Sequence, residues 1–333
     1  MRLLCGAMLA FVVMAAQPIL YAAAPGWRWA LPDGVAPPPV PVGHAMTAAR
    51  VELGRRLFYD ADLSANGTMA CAACHEQKRG FADGNATRPG VHGDAGRRNV
   101  PGLANVGWLS PLTIADPQVT TLEAQIAVPL FGERPVEMGM KGMEQELARR
   151  LGADQCYRTM FARAFPQPRG QIDMVSVAAA IAAFERTMTS YDSPHDRYLA
   201  GDAAALDPLA QEGARLFAAR GCAACHAGRQ TTDLDYHALE PTQERDPGLI
   251  ERTGKAEDAG RFRTPSLRNV ALTGPWWHDG TARTMEAALR RHPVPVGDQD
   301  MPALLAFLAS LTDQTFIANP SLSRPDRACG KRL

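Results

Sequence analysis

From Met301 to Leu311 the apolar residues Leu304, Leu305, Leu308 and Leu311 recur three and four apart, the spacing that lines one side of an α-helix. A second long apolar segment, rich in alanine, runs from Val175 to Met188. The stretch from Ser190 to Asp207 that follows it, with Pro194 inside and Pro208 just beyond, reads as a join between two halves. No alternating strand-and-helix pattern runs through the chain, so the expected fold is all-α. Glycine (29) and proline (26) together make about one residue in six, which implies long loops around the helices.

A different apolar pattern stands at the beginning. Arg2 is followed by an uncharged stretch from Leu3 to Trp27, with an apolar segment from Leu9 to Ala16 and the small residues Ala22, Ala23 and Ala24. This reads as a secretory signal peptide over residues 1–24. An uncleaved anchor is the alternative, but Gln17 and Pro18 interrupt a segment already short of a bilayer span. Cleavage after Ala24 removes Cys5 and leaves about 309 residues, a charge near −1 and six cysteines in an oxidising compartment, the periplasm. No other stretch could span a bilayer, so the processed protein is not an integral membrane protein.

The whole chain of 333 residues carries 35 basic and 35 acidic side chains, which argues against a nucleic-acid binder. Hydrophobic residues make up 46% and charged residues 21%, enough for a sizeable core and against global disorder.

The cysteines carry the chemistry. Cys71-Ala72-Ala73-Cys74-His75 and Cys222-Ala223-Ala224-Cys225-His226 are each a complete C-x-x-C-H. On a helical turn both thiols can meet the vinyl groups at one porphyrin edge while the adjacent imidazole reaches the iron. Zinc would not require a histidine directly after the second cysteine in both copies, and a thioredoxin-like dithiol would need a βαβ context. Two covalent c-type haems follow.

The repetition extends beyond the motifs. Gly54-Arg55-Arg56-Leu57-Phe58 recurs as Gly213-Ala214-Arg215-Leu216-Phe217, Pro101-Gly102-Leu103-Ala104-Asn105-Val106 as Pro265-Ser266-Leu267-Arg268-Asn269-Val270, and Thr121-Leu122-Glu123-Ala124 as Thr284-Met285-Glu286-Ala287. Three matched blocks in one order mean two homologous cytochrome domains, at 25–200 and 201–333. The third block exposes a difference: eight residues after Thr284 stands His292, eight after Thr121 stands Pro129. The register therefore offers the second haem an imidazole as sixth ligand where the first has a side chain that does not coordinate iron. A closed iron suits electron transfer and an open one binds peroxide or oxygen, an asymmetry expected of an enzyme.

Met285 and Met301 are rival ligands for the second haem. His92, in a glycine-flanked loop, could swing onto the first. His44, His195, His237 and His278 have no motif support as ligands. Peroxide cleavage moves a proton to the leaving oxygen, and the candidate shuttle is Glu137, with Glu133 as competitor and Gln125 as a hydrogen-bonding partner for bound oxygen.

Together these residues resemble the bacterial di-haem cytochrome c peroxidases and their MauG-like relatives. The likeness rests on Leu53 to Phe58, both C-x-x-C-H motifs, Arg98-Asn99, Leu122-Glu123-Ala124-Gln125, Pro129, Pro135-Val136-Glu137-Met138-Gly139 and Arg263 to Val270. It implies that His75 ligates the peroxide-reactive haem, with Gln125, Pro129 and Glu137 lining its distal pocket, and that His226 ligates the low-spin haem. It also implies a calcium ion between the domains, matched by the Asn99 side chain and the carbonyls near Arg263 and Pro265, chemically sensible for a hard cation. Cys156 and Cys329, unused by haem, could form a disulfide.

The chain departs from the family in two places. Members commonly place a tryptophan between the haems about ten residues before the glutamine, where this chain has Ile114 and Ala115. Trp108, Trp276 and Trp277 are the candidates to replace that electron relay, against ordinary aromatic packing. His292 stands where detoxifying peroxidases offer methionine and MauG a tyrosine.

The expectation is a periplasmic di-haem oxidoreductase of the MauG-like branch. It would use hydrogen peroxide to oxidise both haems and then an aromatic residue, a tryptophan, on a partner protein that resemblance suggests is copper-binding. The alternatives are a cytochrome c peroxidase fed by a small redox protein, and a di-haem electron carrier without enzyme activity.

Overall fold

The computed structural model describes residues 27–167, 170–239 and 246–332, so the expected signal peptide at 1–24 lies outside the described residues. Those residues form twelve α-helices, several 3-10 turns and two small two-stranded sheets, β1 (Tyr236–His237) with β2 (Phe262–Arg263) and β3 (Arg327–Ala328) with β4 (Lys331–Arg332). The all-α expectation holds. No helix among the described residues is long and apolar enough to cross a membrane.

Two helix pairs anchor the two halves. Helix α1 (Ala48–Phe58) begins at Thr47, whose hydroxyl accepts from the Arg50 amide at 3.2 Å and satisfies one of the free donors of the first turn. Its buried stripe, Leu53, Gly54, Leu57 and Phe58, lies against the long α6 (Met174–Glu185). The approach is so close that a β-carbon on Gly54 would lie 1.8 Å from the Ala180 carbonyl oxygen. In the second half α8 (Pro208–Ala219) starts on Asp207 with proline in its first turn, and packs against α11 (Met301–Ser310). A β-carbon on Gly213 would lie 1.9 Å from the Ala303 oxygen. The glycine shared by the two blocks is thus the residue that lets each pair close.

The other matched blocks repeat in space as well. Asn105 and Asn269 both take left-handed backbone (φ 56° and 59°), and their amides donate to Met188 O and Leu311 O just past α6 and α11. Thr121 and Thr284 cap α3 (Leu122–Phe131) and α10 (Met285–Arg290) by accepting from Ala124 N and Ala287 N. Helices α4 (Glu144–Ala153) and α5 (Gln155–Ala164) fall between α1 and α6, α5 packing on α1, and α7 (Pro194–Leu199) lies between the two pairs. The join is capped by Ser193 in a reciprocal box with Asp196.

The tail after Thr312, grouped with the second half on sequence, packs on the first. Phe316 and Leu322 enter the core of Leu57, Phe58, Phe81 and Phe161. Arg55 donates to Ser323 O at 2.6 Å, and Tyr59 to Leu322 O at 2.7 Å. Cys156 on α5 and Cys329 are joined by a disulfide across 173 residues. Burying Phe316 alone stabilises this crossover by roughly 1.5–3 kcal/mol.

Candidate haem sites and distal pocket

Both C-x-x-C-H motifs sit on single turns. Cys71–Cys74 is a short α-helix, α2, whereas Cys222–Ala224 winds as a 3-10 turn. Each histidine is fixed through Nδ1: His75 to Phe81 O at 2.7 Å and His226 to Thr231 O at 3.3 Å. A carbonyl acceptor holds the proton on Nδ1 and leaves Nε2 free for metal. Phe81 and Thr231 both have positive φ, 64° and 52°, a costly backbone for a residue with a side chain. Burial lowers the basicity of both imidazoles, that of His226 to about 4, with His292 adding to the effect there. Both are neutral ligands near pH 7. Behind them Phe58 and Phe217, from the two matched blocks, lie 6.4 Å from their respective histidine rings.

In the second half a cavity of about 350 Å³ is lined by His226, His292, Phe217, Leu289, Trp276 and Trp277. His226 and His292 face each other with ring centroids 6.3 Å apart. Two metal–imidazole bonds of about 2 Å, plus roughly 1.1 Å from each nitrogen to its ring centre, fill such a gap with one metal ion between. His292 lies just past α10, and its Nδ1 is 2.9 Å from Ala288 O, again leaving Nε2 for the iron. Of the rival thioethers, Met301 is buried in the core, whereas Met285 shares the cavity wall.

In the first half α3 runs on to Phe131, through the position matched to His292, with Pro129 inside it. Gln125 and Pro129 are four apart and share a face. The segment carrying Glu137 is zipped onto the end of this helix, Met138 N donating to Pro129 O at 2.9 Å and Met140 N to Leu130 O at 2.8 Å. Two ladder bonds thus bring the Glu137 segment against Pro129 and Leu130 at the end of the helix. Burial raises the Glu137 carboxyl above its usual range, and the charge of Glu137 is felt at Cys74. Gln125 Oε1 is buried with no hydrogen-bond partner among the described residues. An orphaned buried acceptor one helical turn before Pro129 fits a pocket built around a missing group. Glu133, the competing carboxylate, is exposed and pairs with Lys141.

The loop of His92 is stapled to the same segment by Val91 N to Glu137 O at 2.7 Å, and His92 itself is exposed. The four histidines without motif support serve packing and ion pairs. His44 Nδ1 lies 3.1 Å from Glu123, His237 pairs with Asp233 at 2.8 Å, and His195 and His278 pack on Phe307 and Phe262.

Of the three tryptophans, Trp276 and Trp277 reach the second cavity and Trp108 does not; its indole donates to Ala36 O and its ring meets Tyr191. Trp277 stands edge-on to His292 at 5.3 Å with φ of 81°. Asn99, Arg263 and Pro265 line that same cavity. The Asn99 amide nitrogen donates to Asn85 O and Ala86 O, leaving its oxygen as the group able to ligate, while its backbone N–H holds His278 O across the halves. Residues 48–204 match the family model of the di-haem cytochrome c peroxidases, and residues 210–312 match that of cytochrome c.

The chain belongs to the di-haem cytochrome c peroxidase family. Among its relatives is the methylamine utilization protein MauG of Methylophilus methylotrophus, 30% identical over 80% of this chain and 78% of that one. Another is the cytochrome c551 peroxidase of Pseudomonas aeruginosa, 31% identical over 81% and 80%. A solved MauG-like protein associated with microbial copper homeostasis superposes with a TM-score of 0.86 at 37% identity, covering 91% of this chain and all of that one. The protein is therefore a peroxide-dependent di-haem oxidoreductase, and membership implies two haems.

Residue types do not reveal the Phe81 and Thr231 carbonyls, because any residue supplies a carbonyl. The positions carry no signal beyond lying six and five residues after their histidines.

Proposed function

We propose that the protein is a periplasmic MauG-like enzyme that spends peroxide's two oxidising equivalents on an aromatic residue of a partner protein. The observation that carries this reading is the inequality of the two sites. His292 faces His226 across one cavity, while Pro129 occupies the matched position one helical turn after Gln125, with the Glu137 segment bonded to its carbonyl. When bound, the haems supply iron that accepts oxidising equivalents from peroxide.

The chain's own residues do the rest. His75 would hold the first haem through Nε2, Pro129 offers that site no second ligand, and Gln125 would orient peroxide by a hydrogen bond. Glu137, whose carboxyl burial raises above its usual range, would pass a proton to the leaving oxygen. Cys71 and Cys74, and Cys222 and Cys225, anchor the haems of units 25–200 and 201–333, and His226 with His292 closes the second. Trp277, against His292, is the tryptophan best placed to pass electrons between the second haem and the surface. Asn99 and the carbonyls of Arg263 and Pro265 would hold a calcium ion between the halves. The Cys156–Cys329 disulfide supports an oxidising compartment.

A copper-binding partner with a reactive tryptophan is the substrate class that the family resemblance suggests, and the neighbour's association with copper homeostasis is in keeping with a copper-related partner. Incubating such a partner with the enzyme and peroxide, then mapping its peptides by mass spectrometry, is the test. An oxidised tryptophan formed only with active enzyme is expected; an unmodified partner with peroxide consumed at the expense of a reduced cytochrome or copper protein would favour the detoxifying peroxidase. The stapling of the His92 loop to the Glu137 segment keeps that second reading open, since a histidine there can close the first iron until the second haem is reduced.

A further inference from the structure

Three arginines are buried among the described residues, Arg186, Arg263 and Arg268. Arg186 is clamped by both oxygens of Glu123 at 2.9 and 3.0 Å, and Arg268 by both oxygens of Asp196 at 2.9 Å. Arg263, 6% exposed, has no carboxylate at ion-pair distance among the described residues. Its Nε donates to Thr113 O at 3.3 Å, Nη1 to Thr264 O at 3.2 Å and Nη2 to Leu112 O at 3.2 Å. Three of five N–H groups are thus engaged by neutral carbonyls, two remain, and among the described residues the positive charge has no counter-charge.

A guanidinium stays ionised in a protein, and an uncompensated buried charge costs several kcal/mol, so such a group needs an anion. The Thr113 and Leu112 carbonyls belong to the first half and pin the guanidinium from outside, and the side chain lines the cavity shared by His226 and His292. The other charged side chains on that wall are already used: Asp246 takes both oxygens to Arg98, and Arg268 is held by Asp196. The described side chains supply no anion to it, whereas a haem filling the cavity would bring two carboxylates.

We propose that Arg263 is the counter-ion of a propionate of the second haem, held rigidly by three carbonyls so that its charge biases that iron toward the reduced state. This rests on the reading of the cavity as a haem site. Arg263 is a positioning and tuning residue rather than a catalytic one, distinct from the role of its carbonyl toward calcium.

The test uses the full haem-loaded protein with R263Q, which removes the charge, and R263K, which keeps it. Haem content and electron paramagnetic resonance of the low-spin signal establish loading and ligation, and spectroelectrochemistry reads the low-spin potential. R263Q should shift the one-electron equilibrium of that haem at least tenfold toward the oxidised form, about 59 mV, with R263K shifting less. Two haems, unchanged ligation and a wild-type potential in R263Q would overturn the proposal. A single haem in the wild type would overturn the underlying reading instead. If R263Q fails to accumulate, a crystal structure of the loaded wild type decides. A propionate oxygen at ion-pair distance from the guanidinium supports the assignment, and both propionates turned away refute it.

Discussion

The two halves of the molecule are built from the same parts and end in opposite chemistry. Each has a glycine-mediated helix pair, a left-handed asparagine, a threonine-capped helix and a histidine tied through Nδ1 to a carbonyl. What differs is the last turn of the capped helix. In the first half α3 continues to Phe131 and carries Pro129; in the second α10 stops at Arg290 and frees His292 to face His226. On the proposed reading, one side chain and the end of one helix are what would turn a duplicated cytochrome into a pair with one reactive and one closed iron.

The most severe way to break the contrast is to put the second half's ligand into the first. P129H should close the first haem, convert its high-spin signal to low-spin and abolish the reaction with peroxide in stopped-flow spectra, with the His226/His292 signal unchanged. Next in size is the proton donor. E137Q should slow peroxide cleavage by about 10²–10⁴-fold with haem loading intact, whereas E133Q, which alters an exposed pair with Lys141, should leave the rate unchanged.

The matched glutamates give a smaller and purely structural comparison. Glu123 is worked against by burial, but its bonds to His44 and Arg186 prevail and hold its carboxyl at about 2, and it ties α3 to Arg186 just past α6. Glu286, its counterpart, makes an exposed i, i+4 pair with Arg290. E123Q should cost about 3 kcal/mol in denaturant unfolding and E286Q less than about 0.5 kcal/mol. Because the folded pKa of Glu123 is depressed, its contribution is present above the ordinary value of 4.5 and is lost as pH falls through about 2. The acid limb of the wild-type stability curve should therefore flatten in E123Q and persist in E286Q. Removing the Cys156–Cys329 disulfide should cost about 2–4 kcal/mol in the same assay. Its tail packs on the first core, so the His75 haem spectrum should respond and the His226 spectrum should not.

Much of this architecture is legible in the amino-acid sequence. The duplicated blocks mark positions with a fixed geometric duty, so register alone brings out the Pro129 and His292 contrast, the helix at Met301 lies where its apolar spacing puts it, and the Ala-rich segment from Val175 is helical through Glu185. The crossover of the tail is not legible, because the run of residues after Thr312 has no periodicity naming the core it joins. Arg263 is legible as a carbonyl in a motif but not as a buried cation, since its isolation among the described residues depends on where distant parts of the chain place their carboxylates. The stapling of the Glu137 segment to α3 is equally hidden, being made by backbone bonds.

The central claim is that one iron is open and the other closed by His292. Electron paramagnetic resonance of the fully oxidised protein, before and after one equivalent of hydrogen peroxide and with no prior reduction, tests it most directly. One high-spin and one low-spin ferric signal, both lost on addition of peroxide, is the predicted result; two low-spin signals that peroxide leaves unmoved would contradict it.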